Sequence, residues 1–440
     1  MKHSAFSYKT LNDLREAAEK AGVQLPLSED VSILSAPLTF GEKTIRNRIA
    51  IQPMEGCDGT ADGTPDELTV RRYTRFASGG AGFIWFEAVA ILPEARANPH
   101  QLMLTKKNLD DYKRLVDHIR TTSFKTNGFD PLIILQATHS GRYSKPYSKP
   151  EPLIACHNPV YENNGLLNDD CIVSDEYLDT LADHYIKTAR LSEAAGFDGV
   201  DIKACHRYLI NELLSARTRE DSRYGGSFDG RIKLLCDAIS AVRSVLSKNM
   251  TVTTRLNVYD GIKYPYGFGV SQENGLIPDL TEPIALIGKL RELGISLINI
   301  TVGNPYFNPH VNRPYDKGPY EPPEHPLEGL ERLYDCVKAI KSEYSDLICI
   351  ASGLTYGRQF AENIAAGLIL EGFADMAGFG REAFAYPEFP KDILSGNGME
   401  KGKCCITCGK CSELMRAGSV AGCAIRDEVY TEIYRKLGNG

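Results

Sequence analysis

The sequence is short of several things, and each shortage removes a class of function. Among its 440 residues there is one tryptophan, Trp85, so a cation cage built on indole rings has little to draw on. Basic residues do not dominate: 50 Lys and Arg stand against 57 Asp and Glu, a formal net charge of −7. A nucleic-acid surface needs a basic face or stripe, and this balance argues against one. No uninterrupted apolar run is long enough to span a bilayer. The N-terminus, MKHSAFSYKTLNDLREAAEK, turns charged and amphipathic at once and holds no apolar core of signal-peptide length. The expected setting is therefore cytoplasmic, with neither membrane nor nucleic acid as partner. No repeat of fixed period is visible, and no G-x-G-x-x-G fingerprint follows a candidate strand.

What is present is an ordinary globular composition, 42% hydrophobic and 24% charged. The length would suit two or three average domains, but barrel folds run long as one unit. The twelve cysteines are unevenly placed. Cys57, Cys156, Cys171, Cys205, Cys236, Cys336 and Cys349 are scattered, and the others fall between Cys404 and Cys423. A disulfide-stapled secreted domain would be shorter and would spread them evenly, so the cluster points to a metal.

Along the chain a short apolar run, a polar or glycine-rich loop and a helical pattern recur in turn. The runs cover residues 48–52, 83–87, 132–136, 199–203, 252–255, 297–301, 347–351 and 376–379. Each is nearly continuous, as expected of parallel strands buried on both faces. Between them, 180–195, 283–293 and 357–370 carry helical spacing and stop at or near Gly196, Gly294 and Gly372. Strand–helix units in this number describe an α/β fold of the (β/α)₈ TIM-barrel type, although the rhythm alone also allows an open doubly wound sheet. Residues 1–36 read as a helical lead-in and 37–395 as the barrel. Residues 396–440 read as a cysteine-bearing segment with a closing helix, 427–437.

In such a barrel the chemistry sits at the C-terminal ends of the strands, and those ends are polar here. They reach Gln52, Pro53 and Met54; Glu87 and Ala88; Gln136; Lys203, followed by His206 and Tyr208; Arg255; Thr301 and Asn304; Ser352 and Gly353; Gly380 and Arg381. Glycines and a guanidinium after the last two strands suit a phosphate. Gln136 both donates and accepts, which suits a flat ring with N–H and C=O edges. Arg255 adds a fixed positive charge which, if the ring is a flavin, would stabilise the anion formed on its reduction. Taken singly, each of these is an ordinary loop residue; their common end of the barrel gives them weight.

Longer stretches resemble the Old Yellow Enzyme family of FMN-dependent oxidoreductases, in the branch of bacterial 2,4-dienoyl-CoA reductase and trimethylamine dehydrogenase. They are PLTFGEKTIRNRIAIQPM (37–54), GGAGFIWFEAVAI (79–91), QATHSGR (136–142), GFDGVDIKACHRYLINELLSARTREDSRYGGSFDGR (196–231) and FADMAGFGREAFAYPEFP (373–390). The resemblance implies FMN at the C-terminal mouth of a barrel, with contacts from Pro53, Met54, Ala88, Gln136, Arg255, Gly353, Gly380 and Arg381. The family's substrate motif H-x-x-H/N-x-Y reads KACHRY here, so Lys203 replaces the first histidine while His206 and Tyr208 match. The tyrosine is the proton donor in many members. The lysine brings a charge where the family has an imidazole, which points to a substrate other than a simple enone.

Cys405, Cys408, Cys411 and Cys423 have the spacing C-x₂-C-x₂-C-x₁₁-C. Three close thiolates and one distant one suit a [4Fe–4S] cube, and the spacing resembles the iron–sulfur motif of the same branch. A structural Zn(Cys)₄ site is the alternative, and Cys404 is a spare neighbour. Branch members often continue into two nucleotide-binding domains, which this sequence lacks. Electrons are then expected from NAD(P)H docking over the FMN or from an electron-donor protein through the cluster. The expected activity is hydride transfer from reduced FMN to the C=C bond of an α,β-unsaturated carbonyl compound, with Tyr208 protonating the α-carbon. Amine dehydrogenation or demethylation, with a bowl of tyrosines such as Tyr259, Tyr264 or Tyr306, is a second flavin reading. A Schiff-base aldolase using Lys203 and a non-catalytic electron carrier are readings of other classes. A homo-oligomer is compatible with all of them, and substrate choice falls to the loops 156–171 and 259–278.

Overall fold

A computed structural model describes residues 5–162, 165 and 167–437. Parts of the lead-in, of the 156–171 loop and of the C-terminal segment thus lie outside the described residues. A two-stranded hairpin, β1 (Leu38–Phe40) and β2 (Lys43–Ile45), precedes the barrel. Eight parallel strands then follow: β3 (Ile49–Ile51), β4 (Phe83–Ala90), β5 (Leu132–Thr138), β6 (Gly199–Ile202), β7 (Thr251–Asn257), β8 (Leu297–Thr301), β9 (Ile348–Ala351) and β10 (Met376–Phe379). They close in sequence order, with β10 pairing back onto β3. The (β/α)₈ barrel is therefore the fold, and the open sheet is excluded. All eight apolar runs are strands, and β4, β5 and β7 continue past the expected ends.

Because side chains alternate across a strand, each strand contributes to two separate cores. One set (Ile49, Ile51, Ile84, Phe86, Ile133, Leu135, Val200) packs outward against the helices. The other (Ala50, Phe83, Trp85, Leu132, Ile134, Leu297, Ile350, Met376) fills the barrel interior. The interior set ends under the hairpin, where Ile45 joins it and Leu38 and Phe40 pack against it. The hairpin thus stoppers the N-terminal end of the barrel, an element that three-residue strands leave unmarked in the sequence.

The lead-in holds one helix, Leu11–Ala21, opened by a capping box at Thr10 and Asp13 and closed at Gly22 with φ 71°. A single 3₁₀ turn, Ser32–Ser35, follows it. The expected helix at 357–370 is broken: a 3₁₀ stretch, Leu354–Phe360, kinks at Arg358 with φ 48°, and the α-helix Ala361–Leu370 follows it. After the barrel come the helices Lys410–Arg416 and Glu428–Leu437. The Ala421 amide donates to the Gly56 carbonyl at 2.7 Å, and the Arg71 guanidinium grips Asp427 at 2.8 and 3.0 Å. These contacts seat the cysteine segment on the loop after β3 and the helix that follows it. Among the described residues no helix is long and apolar enough to cross a membrane.

Candidate active site

Towards the C-terminal end the barrel interior changes character. Above the apolar interior layer the inward residues are Gln52, Gln136, Asp201, Arg255 and Asn299, all 8% exposed or less. Asp201 is 0% exposed and accepts from three strands: Gln136 Nε2 at 2.6 Å, Trp85 Nε1 at 2.7 Å and the Arg255 amide at 2.7 Å. Burial pushes its carboxyl up to about 6 against the pull of those donors. Beside it Asn299 Nδ2 donates to Gln52 Oε1 at 2.7 Å. The Gln52 amide crosses position 378, where a Cβ would lie 2.0 Å from Gln52 Nε2, so only glycine fits there.

This polar layer floors a cavity of about 180 Å³; the next described cavity measures about 10 Å³. Pro53, Met54, Ala88, Gln136 and Arg255 line it, and so do Gly353, Gly380 and Arg381. Lys203, His206 and Tyr208 line it as well. Of the four cysteines of the motif only Cys411 reaches it. Glu87, which the sequence places at the same mouth, does not. A bulge between Phe86 and Ala88 shifts the β4 register and turns Glu87 outward, where it accepts from the Gly56 amide at 2.9 Å and pairs with Arg72. Of the three tyrosines proposed for a bowl, only Tyr306 lines the cavity; Tyr259 donates to the Gly275 carbonyl instead.

The loop after β6 is strained. His206 and Arg207 lie at φ 63° and 59°, a left-handed pair without glycine. Surroundings fix it: the Arg207 amide donates to Asn211 Oδ1 at 2.6 Å, and its guanidinium meets Asp260 at 3.0 Å. The loop therefore delivers Lys203, His206 and Tyr208 to one place. The Lys203 ammonium sits 3.6 Å from the centre of the Tyr208 ring. Tyr208 and Tyr306 share a hydrogen bond of 3.2 Å between their hydroxyls, and Tyr143 packs on Tyr306 at 4.3 Å. Burial, then Tyr306, holds the Tyr208 phenol well above the usual value. Burial lowers the Lys203 amine and holds the His206 ring well below the usual imidazole range.

Sequence reasoning found part of the cavity's charge, at Lys203, Arg255 and Arg381, and missed Arg313 and Arg416. Lys203, Arg255, Arg313, Arg381 and Arg416 line it, and among the described residues none is in an ion pair. Glu55 is the one carboxylate in the lining, and burial raises its pKa. Arg313 donates to Ser412 Oγ at 2.8 Å; burial, then Arg381, lowers its guanidinium to about 10. Arg313 follows the short turn Pro309–Asn312 and Arg416 ends the helix Lys410–Arg416, both outside the eight strand–helix units and without a spacing signal. Asp201 had one, a lone acid inside a buried apolar run.

A lining with five cations and one carboxylate suits an anion, and Gln52 Nε2, His206 Nε2 and Arg255 Nε are buried without partners. A phosphate joined to a flat ring with polar edges supplies what they lack, so the residues fit FMN. The cysteine segment carries the four thiols of the motif, Cys405, Cys408, Cys411 and Cys423. All described cysteines are free. Cys405 Sγ accepts from the Thr407 amide and Cys423 Sγ from the Arg426 amide, both at 3.4 Å. Cys411 is an electrostatic neighbour of both, and Cys408 of Cys423. Cys404 turns elsewhere, its thiol donating to the Glu400 carbonyl at 3.3 Å. Among the described residues no three His, Cys, Asp or Glu side chains are grouped to hold a single metal ion.

Residues 34–273, more than half of the chain, match the model of the NADH:flavin oxidoreductase / NADH oxidase family. The chain belongs to that family. It is 25% identical over 409 residues to an NADH oxidase of Thermoanaerobacter brockii, covering 90% of this chain and 56% of that protein. It therefore spans little more than half the length of that relative. An NADPH dehydrogenase of Clostridium acetobutylicum is 25% identical over 80% of this chain and 91% of its own length. Among solved structures, 2-naphthoyl-CoA reductase with 2-naphthoyl-CoA superposes with TM-score 0.73 at 20% identity, over 92% of this chain and 58% of the other. An old yellow enzyme homologue from Zymomonas mobilis gives TM-score 0.63 at 22% identity, over 84% and 94%. Those two likenesses carry the fold, which places this family member's cavity at the barrel mouth where such folds keep their chemistry.

Proposed function

We propose that the protein is an FMN-dependent ene-reductase. It reduces the C=C bond of an α,β-unsaturated carbonyl compound with electrons from NAD(P)H, or from a redox partner through a [4Fe–4S] cluster held by Cys405, Cys408, Cys411 and Cys423. On this reading residues 1–36 are a lead-in, 37–395 the flavin barrel and 396–440 the cluster segment. The observation that carries it is the meeting, in one cavity, of the three candidate catalytic side chains with every candidate flavin contact, in a chain of a flavin oxidoreductase family.

Bound FMN supplies the hydride chemistry, and a cluster supplies single electrons. The chain's own residues do the rest. Gly353, Gly380 and Arg381 hold the phosphate, while Gln136 and Arg255 meet the polar edge of the ring. His206, kept neutral by burial, donates through a ring N–H to the substrate carbonyl, and the Lys203 ammonium reinforces it as charge develops on that oxygen. Tyr208, kept protonated by burial and by Tyr306, delivers a proton to the α-carbon. Tyr306, one hydrogen bond behind, is placed to restore that proton.

Stopped-flow kinetics on Tyr208→Phe tests the assignment. Reoxidation of the reduced enzyme by the alkene should slow by about 10²–10⁴-fold, the range for a lost general acid. Reduction by the donor should hardly change. Equal slowing of both halves would make Tyr208 a pocket wall instead. The lowered amine of Lys203 also suits a Schiff base; borohydride trapping with a carbonyl compound tests that reading, and the flavin reading expects no adduct. The tyrosine wall suits an amine less well, because Lys203 already covers the Tyr208 ring.

A further inference from the structure

The polar floor has a direction. Asp201 is buried beneath the cavity, and an ionised carboxylate can only accept hydrogen bonds. Its Oδ2 takes Trp85 Nε1 at 2.7 Å and Gln136 Nε2 at 2.6 Å, and its Oδ1 takes the Arg255 amide at 2.7 Å. The donors stand on β4, β5 and β7, and Gln136 and Asp201 are register partners across β5 and β6. The side chain of Asp201 is therefore pinned from three sides, and with it one end of the Gln136 amide. An amide has an NH₂ end and a C=O end. With the NH₂ end committed downward, the C=O end is the one left for the cavity that Gln136 lines.

The neighbouring pair lacks this direction. Gln52 and Asn299 are both amides, and either can donate to the other. Only the Gln136 position has a fixed polarity, and a carboxylate fixes it. On the same lining, two strands away, is Arg255, whose backbone is held by the same carboxylate and whose guanidinium is a permanent donor. An acceptor and a cationic donor on one lining suit a ring that carries both an N–H and a C=O, as the imide edge of a flavin or a similar heterocycle does.

We propose that Asp201 is a positioning residue that makes the barrel floor accept a hydrogen bond from a ring N–H, and so selects a cofactor with an unsubstituted imide edge. The proposal rests on the flavin reading above. Neither Asp201 nor its role is legible from the glycines and cations of the mouth; it follows from the three hydrogen bonds beneath them.

The test compares two flavins on protein stripped of its cofactor. FMN carries N3–H, whereas 3-methyl-FMN has the same phosphate, ribityl chain and ring charge but no N3 proton. Fluorescence titration of the native sequence should show FMN binding at least about tenfold more tightly, the effect of one hydrogen bond lost against a buried acceptor. In Asp201→Asn the carboxamide can also donate, Gln136 is free to turn over, and the preference should shrink to about threefold or less. Taking the ratio of two affinities on one protein cancels the charge removed by the substitution. A preference unchanged in Asp201→Asn, or absent from the native sequence, overturns the proposal while leaving the flavin reading intact. Binding of neither flavin sinks the flavin reading itself, and this proposal with it. If Asp201→Asn does not fold, the holoprotein loaded with ¹⁵N-labelled FMN decides. The proposal expects a slowly exchanging N3 proton with resolved nitrogen coupling; an N3 proton in fast exchange with water contradicts it.

Discussion

The two ends of the barrel are built from the same strands and solve opposite problems. At the N-terminal end the inward residues are Phe83, Trp85, Leu132, Leu297 and Met376, closed off by the hairpin that ends in Ile45. At the C-terminal end the inward residues are Gln136, Asp201, Arg255 and Asn299, and the lining above them is cationic. One end buries apolar surface and gains stability from it. The other gathers more cations than carboxylates and buries Lys203, Arg255 and Arg381 among them, which costs stability until an anion binds. Within single strands the change is direct: β5 runs inward from Leu132 and Ile134 to Gln136, and β8 from Leu297 to Asn299.

That contrast can be broken at either end. Phe83 is 0% exposed and stacks on Trp85 at 5.3 Å. Phe83→Ala should cost about 3–5 kcal/mol in denaturant unfolding of the cofactor-free protein. Lys203→Met, at the other end, removes a buried cation that has no ion pair and should change the same unfolding free energy by less than about 1 kcal/mol, in either direction. Equal losses at both ends would erase the distinction. Arg381→Ala should weaken FMN binding by about tenfold to a hundredfold, the range for a lost charge-assisted hydrogen bond, without lowering the stability of the cofactor-free protein. Full flavin retention by that variant would move the phosphate elsewhere in the mouth.

The bottom of the barrel and the mouth were not equally legible in the sequence. Continuous apolar runs locate all eight strands, because strands buried on both faces leave no polar alternation to confuse the pattern. The hairpin escaped because Leu38–Phe40 and Lys43–Ile45 are too short to show a period. At the mouth, residues at strand ends were readable because a strand end has a known direction. Glu87 was misplaced because a bulge reverses its side chain, and no residue type announces a bulge in a run of apolar neighbours. Arg313 and Arg416 reach the cavity from segments outside the strand–helix rhythm, so position in that rhythm does not reveal them. Asp201 was passed over as part of a strand, though an acid between Val200 and Ile202 has to be satisfied by something.

The central claim is that the cationic mouth holds a flavin and the cysteine segment a cluster beside it. A visible absorption spectrum of the protein purified without air, with iron, zinc and acid-labile sulfide measured on the same sample, tests it most directly. The account predicts flavin bands at one FMN per chain over a broad iron–sulfur absorption, with about four irons and four sulfides. A colourless protein that takes up no FMN, or one with stoichiometric zinc and no sulfide, would contradict it.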